Sequence, residues 1–104
     1  MEMTKEMVKF RKMLDDEGIE WKDASSLDVY PMWRTHFDYR GYWWSVIHGY
    51  GSYGGFNSLD CIDKGLLEVM SEAINGGEPI GWLTAEQVMA YVRGGNRGRT
   101  DKTE

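Results

Sequence analysis

The N-terminal segment repeats apolar residues at the spacing of an amphipathic helix. The spacings are four, three and four residues, with lysine and glutamate in between, which predicts one apolar stripe along a helix. The stripe consists of Met3, Met7, Phe10 and Leu14. Thr4 is placed to cap this helix, and Gly18 is placed to end it in a left-handed conformation. Ile19 follows where it folds back on Leu14, so the pattern predicts a Schellman motif.

Three acidic residues crowd the predicted last turn of this helix, namely Asp15, Asp16 and Glu17. The helix dipole disfavours negative charge at that end by about 0.3–1 kcal/mol for each group. Two interpretations stay open. The cluster is a solvated helix end, or Asp15 and Asp16 are kept against local preference because they bind a basic partner.

After Ile19 the pattern changes to that of short extended segments. Residues 20–22 predict a strand, and Ser25 with Ser26 predicts a turn. Residues 27–30 predict a second extended piece that Pro31 stops.

The next stretch predicts a β-hairpin formed by residues 34–39 and 42–48. Its two-residue loop is Arg40-Gly41, in which Gly41 supplies a positive φ. This loop fixes the register, which pairs Tyr39 with Tyr42, Phe37 with Trp44 and Thr35 with Val46. The face that these residues share is almost wholly apolar, and we expect it to lie against the helices.

The opposite face of the hairpin mixes aromatic, polar and charged residues. It comprises Arg34, His36, Asp38, Trp43, Ser45 and Ile47. An exposed Trp43 beside Arg34 and His36 is suited to stack on a nucleobase or to dock against a protein. These three are therefore candidate binding residues. The alternative is a structural role, in which residues 27–33 or a second subunit cover this face.

In the C-terminal half, residues 66–70 predict a buried strand, although a helix between Leu59 and Ala73, interrupted by Gly65, also fits the pattern. Residues 75–79 form a turn cluster.

A second helix follows this turn, and its start is marked by a capping box of Thr84 with Gln87. The residues that this helix is expected to bury are Ala85, Val88, Met89 and Val92. We expect the helix to stop at Gly94, and residues 95–104 to form a flexible polar tail. The sequence thus predicts an α+β fold: a single domain over residues 1–94, with a small antiparallel sheet and an N-terminal and a C-terminal helix packed on one face.

Residues 49–54 match the glycine pattern G-x-G-x-x-G directly after a predicted strand. A dinucleotide-binding motif also needs a helix that begins within it and a parallel return strand, and the following residues lack a helical period. The pattern therefore favours a wide structural turn or a glycine–tyrosine loop presented to a partner. In the second case Tyr50, Ser52 and Tyr53 are binding residues.

Charge narrows the classes of partner. The 104 residues carry a net charge of -5. Residues 1–92 contain eight basic and fifteen acidic residues and so carry -7, whereas residues 93–104 carry +2. An acidic body argues against direct nucleic-acid binding, which depends on phosphate contacts, and favours a basic protein partner. A homo-oligomer is compatible with the pattern.

Cysteine content and hydropathy indicate the compartment. Cys61 is the single cysteine of the chain, so no internal disulfide forms and a reducing compartment is expected. The sequence shows no signal peptide and no membrane span. We therefore expect the cytoplasm.

Side-chain catalysis finds little support in the sequence. The two histidines, His36 and His48, fall on different faces or opposite ends of the hairpin in the predicted register, which implies neither a metal site nor a histidine pair. A lone Cys61 is more typical of a buried apolar residue than of a nucleophile. Asp60 and Asp63 show no spacing that marks a general acid and base. We expect no enzyme, no cofactor and no metal.

Several segments in order resemble small uncharacterised proteins of phages and prophages of Gram-positive bacteria. The segments are Gly18-Ile19-Glu20-Trp21, Trp44-Ser45-Val46-Ile47 with residues 49–54, Gly65-Leu66-Leu67-Glu68, and Gly81-Trp82-Leu83-Thr84-Ala85-Glu86. The resemblance spans about residues 5–93. It implies a setting in which small acidic proteins resemble anti-defence factors such as anti-CRISPR proteins.

Two functional hypotheses follow. The first is a non-enzymatic binding protein, in its specific form a phage-encoded inhibitor of a bacterial defence complex that acts through an acidic, aromatic surface in the host cytoplasm. The second is a protein that binds or sequesters a nucleotide signal. In that case Tyr50, Tyr53 and Trp43 stack the base, and Arg34 or Arg40 meets the phosphate.

Overall fold

Five antiparallel strands form one sheet in the computed structural model, which describes residues 3–55 and 63–103. The strands are β1 (Trp21–Asp23), β2 (Met32–Tyr39), β3 (Tyr42–Gly49), β4 (Leu67–Ser71) and β5 (Ile80–Leu83). The helices are α1 (Lys5–Asp16) and α2 (Ala85–Thr103), and a short 3₁₀ turn covers Asn75–Gly77. The strands follow one another across the sheet in chain order. The predicted α+β class, with both helices on one face of an antiparallel sheet, is confirmed.

The first helix ends as its sequence predicts. Gly18 has φ +75°, and its N–H donates to Asp15 O at 3.0 Å while the Ile19 N–H donates to Leu14 O at 2.9 Å. These two bonds are those of a Schellman motif. Thr4 occupies the N-cap position of α1 as predicted, but its hydroxyl donates to Gly65 O at 2.8 Å and caps no helical N–H.

The hairpin has the predicted register. Tyr39 lies opposite Tyr42, and Phe37 lies opposite Trp44. Arg40 and Gly41 have φ +52° and +84°, as a type I′ turn requires. Local turn chemistry therefore fixed which residues face the helices.

The core lies between the inner face of the sheet and the two helices. The buried apolar residues that it joins from these elements include Met7, Phe10, Leu14, Phe37, Trp44, Val46, Leu67, Val69, Val88, Met89 and Val92. The Phe37 and Trp44 rings are stacked with their centroids 6.1 Å apart, and Phe10 packs on Phe37 at 5.9 Å. Ala85 is also buried, so all four residues expected on the buried side of α2 are there.

One predicted extended segment is wrong. Residues 27–30 form a bend and no strand, because Ser26 already pairs with Met32 through backbone bonds of 2.9 and 2.7 Å. This bridge closes residues 27–31 into a loop. Leu27, Val29 and Tyr30 are exposed as a result.

The C-terminal half confirms a strand at residues 67–71 and adds β5, which the pattern did not predict. The capping box is present: Thr84 N–H donates to Gln87 Oε1 at 2.9 Å, and Gln87 N–H donates to Thr84 Oγ1 at 3.3 Å. The predicted helix end at Gly94 is wrong, because α2 continues to Thr103. A glycine inside a helix costs only about 1 kcal/mol relative to alanine, and Gly94 does not adopt the positive φ that would end the helix.

Candidate functional site

An open groove of about 940 Å³ lies at the edge of the sheet where β1 begins. β1 is three residues long and pairs with β2 only as far as Trp21 opposite Phe37. Asp15 contributes to the groove from the last turn of α1, and residues 18–22 contribute from the α1–β1 connection and the start of β1. Residues 36–38 and Trp43 contribute from the hairpin. The mismatch in strand length between β1 and β2 therefore opens this site.

Trp21 is held rigidly on one side of the groove. The Arg11 guanidinium lies over its ring, 4.7 Å from the centroid. The Trp21 Nε1–H donates to Asp15 Oδ1 at 2.9 Å. An arginine stacked on an indole contributes cation–π attraction, so the Trp21 ring and the Asp15 carboxylate have fixed positions.

Trp43 forms the other aromatic part of the groove. Its side chain belongs to the outer face of the sheet and is 46% exposed, whereas the next residue, Trp44, is 1% exposed in the core. The His36 ring meets Trp43 edge-on with centroids 4.8 Å apart. Asp38 lies directly opposite Trp43 on β2. The predicted exposure of Trp43 and burial of Trp44 are thus confirmed.

The electrostatics of the groove favour a cation. Asp15, Glu20 and Asp38 contribute carboxylates, and Lys22 contributes the one ammonium group among the described lining residues. Burial, with a smaller contribution from the Arg34 charge, lowers the pKa of His36 below its ordinary value of 6.5. His36 is therefore uncharged at neutral pH and does not repel a positive ligand.

The remaining residues of the predicted outer-face and acidic sites lie beside this groove but do not line it. Asp16 is paired with Lys12, with 3.3 Å between Oδ1 and Nζ. Arg34 is on the same outer face as Trp43, next to Ile47, and its Nη1 donates to Ala24 O at 3.5 Å. Of the predicted binding residues, the structure brings together Asp15, His36 and Trp43.

The glycine–tyrosine loop lies at the other end of β3. Ser52 was predicted to bind a partner but is buried, and its hydroxyl accepts from Gly49 N–H and donates to Gly49 O, both at 3.0 Å. Ser52 therefore braces the loop and is not a surface residue. The Tyr50 ring packs on Tyr30 at 4.8 Å, while Tyr53 is exposed.

The structure also shows a polar pair that sequence reasoning missed. His48 is fully buried, and its Nε2 lies 2.9 and 3.1 Å from the two carboxylate oxygens of Asp63. Asp63 also accepts the Gly65 N–H at 2.8 Å. The pair thus joins the end of β3 to the chain that leads into β4. Its only signal in the sequence was a polar residue at an inward-facing position of β3.

Several sequence expectations concern metals, membranes and nucleophiles. His36 and His48 lie on opposite faces of the sheet, as the register predicted. Within residues 3–55 and 63–103, no three metal-ligating side chains converge. Over the same ranges, neither helix has the length and apolarity needed to cross a membrane. Cys61 and Asp60, together with Leu59 of the alternative helix, lie outside the described residues.

Comparison with protein families, with curated proteins and with solved structures finds no match for the chain. Functional interpretation therefore rests on the groove itself.

Proposed function

We propose that the protein is a non-enzymatic binding protein that holds a basic partner in the groove beside Trp43. The observation that carries this proposal is the exposed indole of Trp43 in a groove with the Asp15 and Asp38 carboxylates. A half-exposed tryptophan gains further burial when a partner covers it, and tryptophan is enriched among the residues that dominate binding energy. Carboxylates around it select a positively charged surface.

In its specific form, the proposal is a phage-encoded inhibitor of a bacterial defence complex. The charge of -7 over residues 1–92 suits a surface that occupies a basic nucleic-acid channel, because like-charged nucleic acid is then excluded from the same channel. The resemblance to small phage and prophage proteins supports the same setting. Such an inhibitor acts in the host cytoplasm on a protein or nucleoprotein partner.

A pull-down from a bacterial lysate that contains CRISPR effectors tests the proposal. The wild-type chain should retain a partner at low salt and release it as the salt concentration rises, since electrostatic attraction is screened. Trp43→Ala should lose most of the retention. Trp82→Ala is the matched control, because Trp82 is a 55% exposed tryptophan on β5, at the opposite edge of the sheet. Retention of no partner at low salt, or equal loss in both variants, would sink the proposal.

The nucleotide-binding alternative has less support in the geometry. It needs Tyr50, Tyr53 and Trp43 around one base, but Trp43 and the loop after Gly49 lie at opposite ends of β3. Six strand residues span about 20 Å. A thermal-shift screen with cyclic and linear nucleotides checks this alternative, since a ligand at 100 times its Kd adds about 2.7 kcal/mol of stability.

A further inference from the structure

We infer that the outer part of the groove recognises an arginine side chain of the partner, with the guanidinium stacked on the Trp43 indole and paired with the Asp38 carboxylate. This inference rests on the proposed binding function and specifies its ligand chemistry. A site of this kind differs from a groove that attracts every positively charged group equally.

Asp38 and Trp43 occupy facing positions on neighbouring strands. Asp38 and Trp43 are direct partners in the hairpin register, so their Cβ atoms are about 5 Å apart on the same face. Both side chains are exposed. Asp38 forms no ion pair or hydrogen bond through its side chain with any other described residue. A carboxylate ready to accept hydrogen bonds therefore stands beside a half-exposed indole.

Asp15 and His36, the two other predicted binding residues that line the groove, are already hydrogen-bonded or uncharged. Asp15 is engaged by the Trp21 Nε1–H at 2.9 Å. The His36 and Trp43 rings form a T-shaped pair with centroids 4.8 Å apart, and the lowered pKa of His36 leaves it neutral at pH 7. Asp38 is consequently the carboxylate nearest in the register to Trp43 and the one best placed to meet a cation lying on that ring.

An arginine of the chain itself already binds in this way. Arg11 lies over the Trp21 ring at 4.7 Å, and its Nη2 reaches Asp23 Oδ1 at 3.1 Å. The same protein edge thus already holds one guanidinium between an indole and a carboxylate. Trp43 and Asp38 present the same two groups on the outer face, and the arginines that the structure places over aromatic rings, Arg11 and Arg40, lie over Trp21 and Tyr39 instead.

Arginine is favoured over lysine by shape. A guanidinium is planar, so it stacks on an aromatic ring and still directs N–H groups at a carboxylate in its own plane. An ammonium is a compact, strongly hydrated charge. It has no planar face to stack on the ring and no fixed row of N–H groups to direct at the carboxylate. A purely electrostatic groove would accept the two equally, so their discrimination is the measurable signature of this site.

The experiment is an NMR titration of the ¹⁵N-labelled full chain with three blocked peptides. They are acetyl-Gly-Arg-Gly-Arg-Gly-amide and its lysine and citrulline counterparts, citrulline being the neutral isostere of arginine. The indole N–H signal of Trp43 is assigned from a Trp43→Phe variant. The arginine peptide should shift this signal, bind at least threefold tighter than the lysine peptide, and bind at least tenfold tighter than the citrulline peptide. The indole signal of Trp82 should stay in place.

Asp38→Asn supplies the second measurement, because it removes the charge while keeping the side-chain shape. The affinity for the arginine peptide should fall at least fivefold. The rest of the amide spectrum should stay unchanged, which shows that the variant is folded. Equal binding of arginine and citrulline peptides, equal binding of arginine and lysine peptides, or an unchanged affinity in Asp38→Asn would overturn the inference. If a lysate partner is nevertheless retained through Trp43, the proposed function stands without arginine selectivity. If the peptides behave as expected but no partner is retained, the proposed function fails and the arginine site stands.

Discussion

The Nε–H of Arg11 donates a hydrogen bond of 2.7 Å to Thr35 Oγ1 in the interior between α1 and the sheet. Both residues are buried, and the same guanidinium donates to Arg34 O at 3.0 Å and pairs with Asp23 at 3.1 Å. A charge on the apolar side of an amphipathic helix is satisfied here by partners from β1 and β2. Arg11 therefore fixes the edge strand on which the Trp21 side of the groove depends.

Arg11→Met should destabilise the domain by about 2–3 kcal/mol. Methionine keeps the apolar stem but removes a donor to Thr35 and to Arg34 O, and hydrogen bonds from charged groups contribute about 1.5–3 kcal/mol. Urea unfolding followed by tryptophan fluorescence measures the change. Lys12→Met is the matched control, since Lys12 is exposed and its partner in an exposed ion pair is Asp16. This variant should change stability by less than about 0.5 kcal/mol. Similar stabilities for the two variants would mean that Arg11 does not anchor the edge strand.

Adjacent tryptophans should respond in opposite ways to truncation. Trp44→Ala empties a core position stacked on Phe37, so a loss of about 3–5 kcal/mol is expected, enough to unfold many domains of this size. Trp43→Ala should leave the unfolding free energy nearly unchanged while binding falls. Chemical denaturation of both variants checks the pair, and the reverse ranking would mean that the strand register differs by one residue.

Replacing both Asp15 and Asp16 by asparagine tests the acidic end of α1. The melting temperature should rise slightly, because the helix dipole disfavours negative charge there and the amide oxygen introduced by Asp15→Asn can still accept the Trp21 Nε1–H. The loss of the exposed Lys12 pair opposes this rise only weakly. Partner binding should weaken at the same time, because the groove loses one of its carboxylates. Differential scanning calorimetry and the pull-down give the two readouts. Unchanged binding would identify the cluster as a solvated helix end.

The stability of the domain should fall as pH drops through the titration range of His36. Burial and then the Arg34 charge lower the pKa of His36 in the folded state, so the unfolded chain binds a proton first, beginning near pH 6.5. The contribution of neutral His36 to the free energy of unfolding is complete above that pH. This contribution is lost as pH falls toward the folded-state pKa of His36. Lys22 lies opposite His36 on β1 and does not favour protonation.

His36→Gln measures this contribution. The variant should lose less unfolding free energy than the wild type between about pH 7.5 and pH 5. Comparing the two chains removes the contributions that they share. Parallel pH profiles would contradict the lowered pKa, as would a direct NMR titration that finds His36 at or above its ordinary value.

Sequence alone determined the features that depend on residues within a few positions of one another. The Schellman end at Gly18, the type I′ turn at Arg40-Gly41 and the capping box at Thr84 follow from local turn and cap chemistry. The turn sets the strand register, and the register separates Trp43 from Trp44. The outward position of the main aromatic residue of the site therefore follows from the sequence.

Only the tertiary structure decided the features that join distant segments. Trp82 is a residue with φ +62° in an unpredicted strand, and Ser52 turns inward to Gly49. The groove likewise exists because Arg11, 24 positions before Thr35, holds a strand that stops short of its neighbour. Contacts of this kind depend on which surfaces folding brings together, and side-chain periodicity carries no information about them. Local chemistry placed Trp43 at the surface, but long-range packing built the site around it.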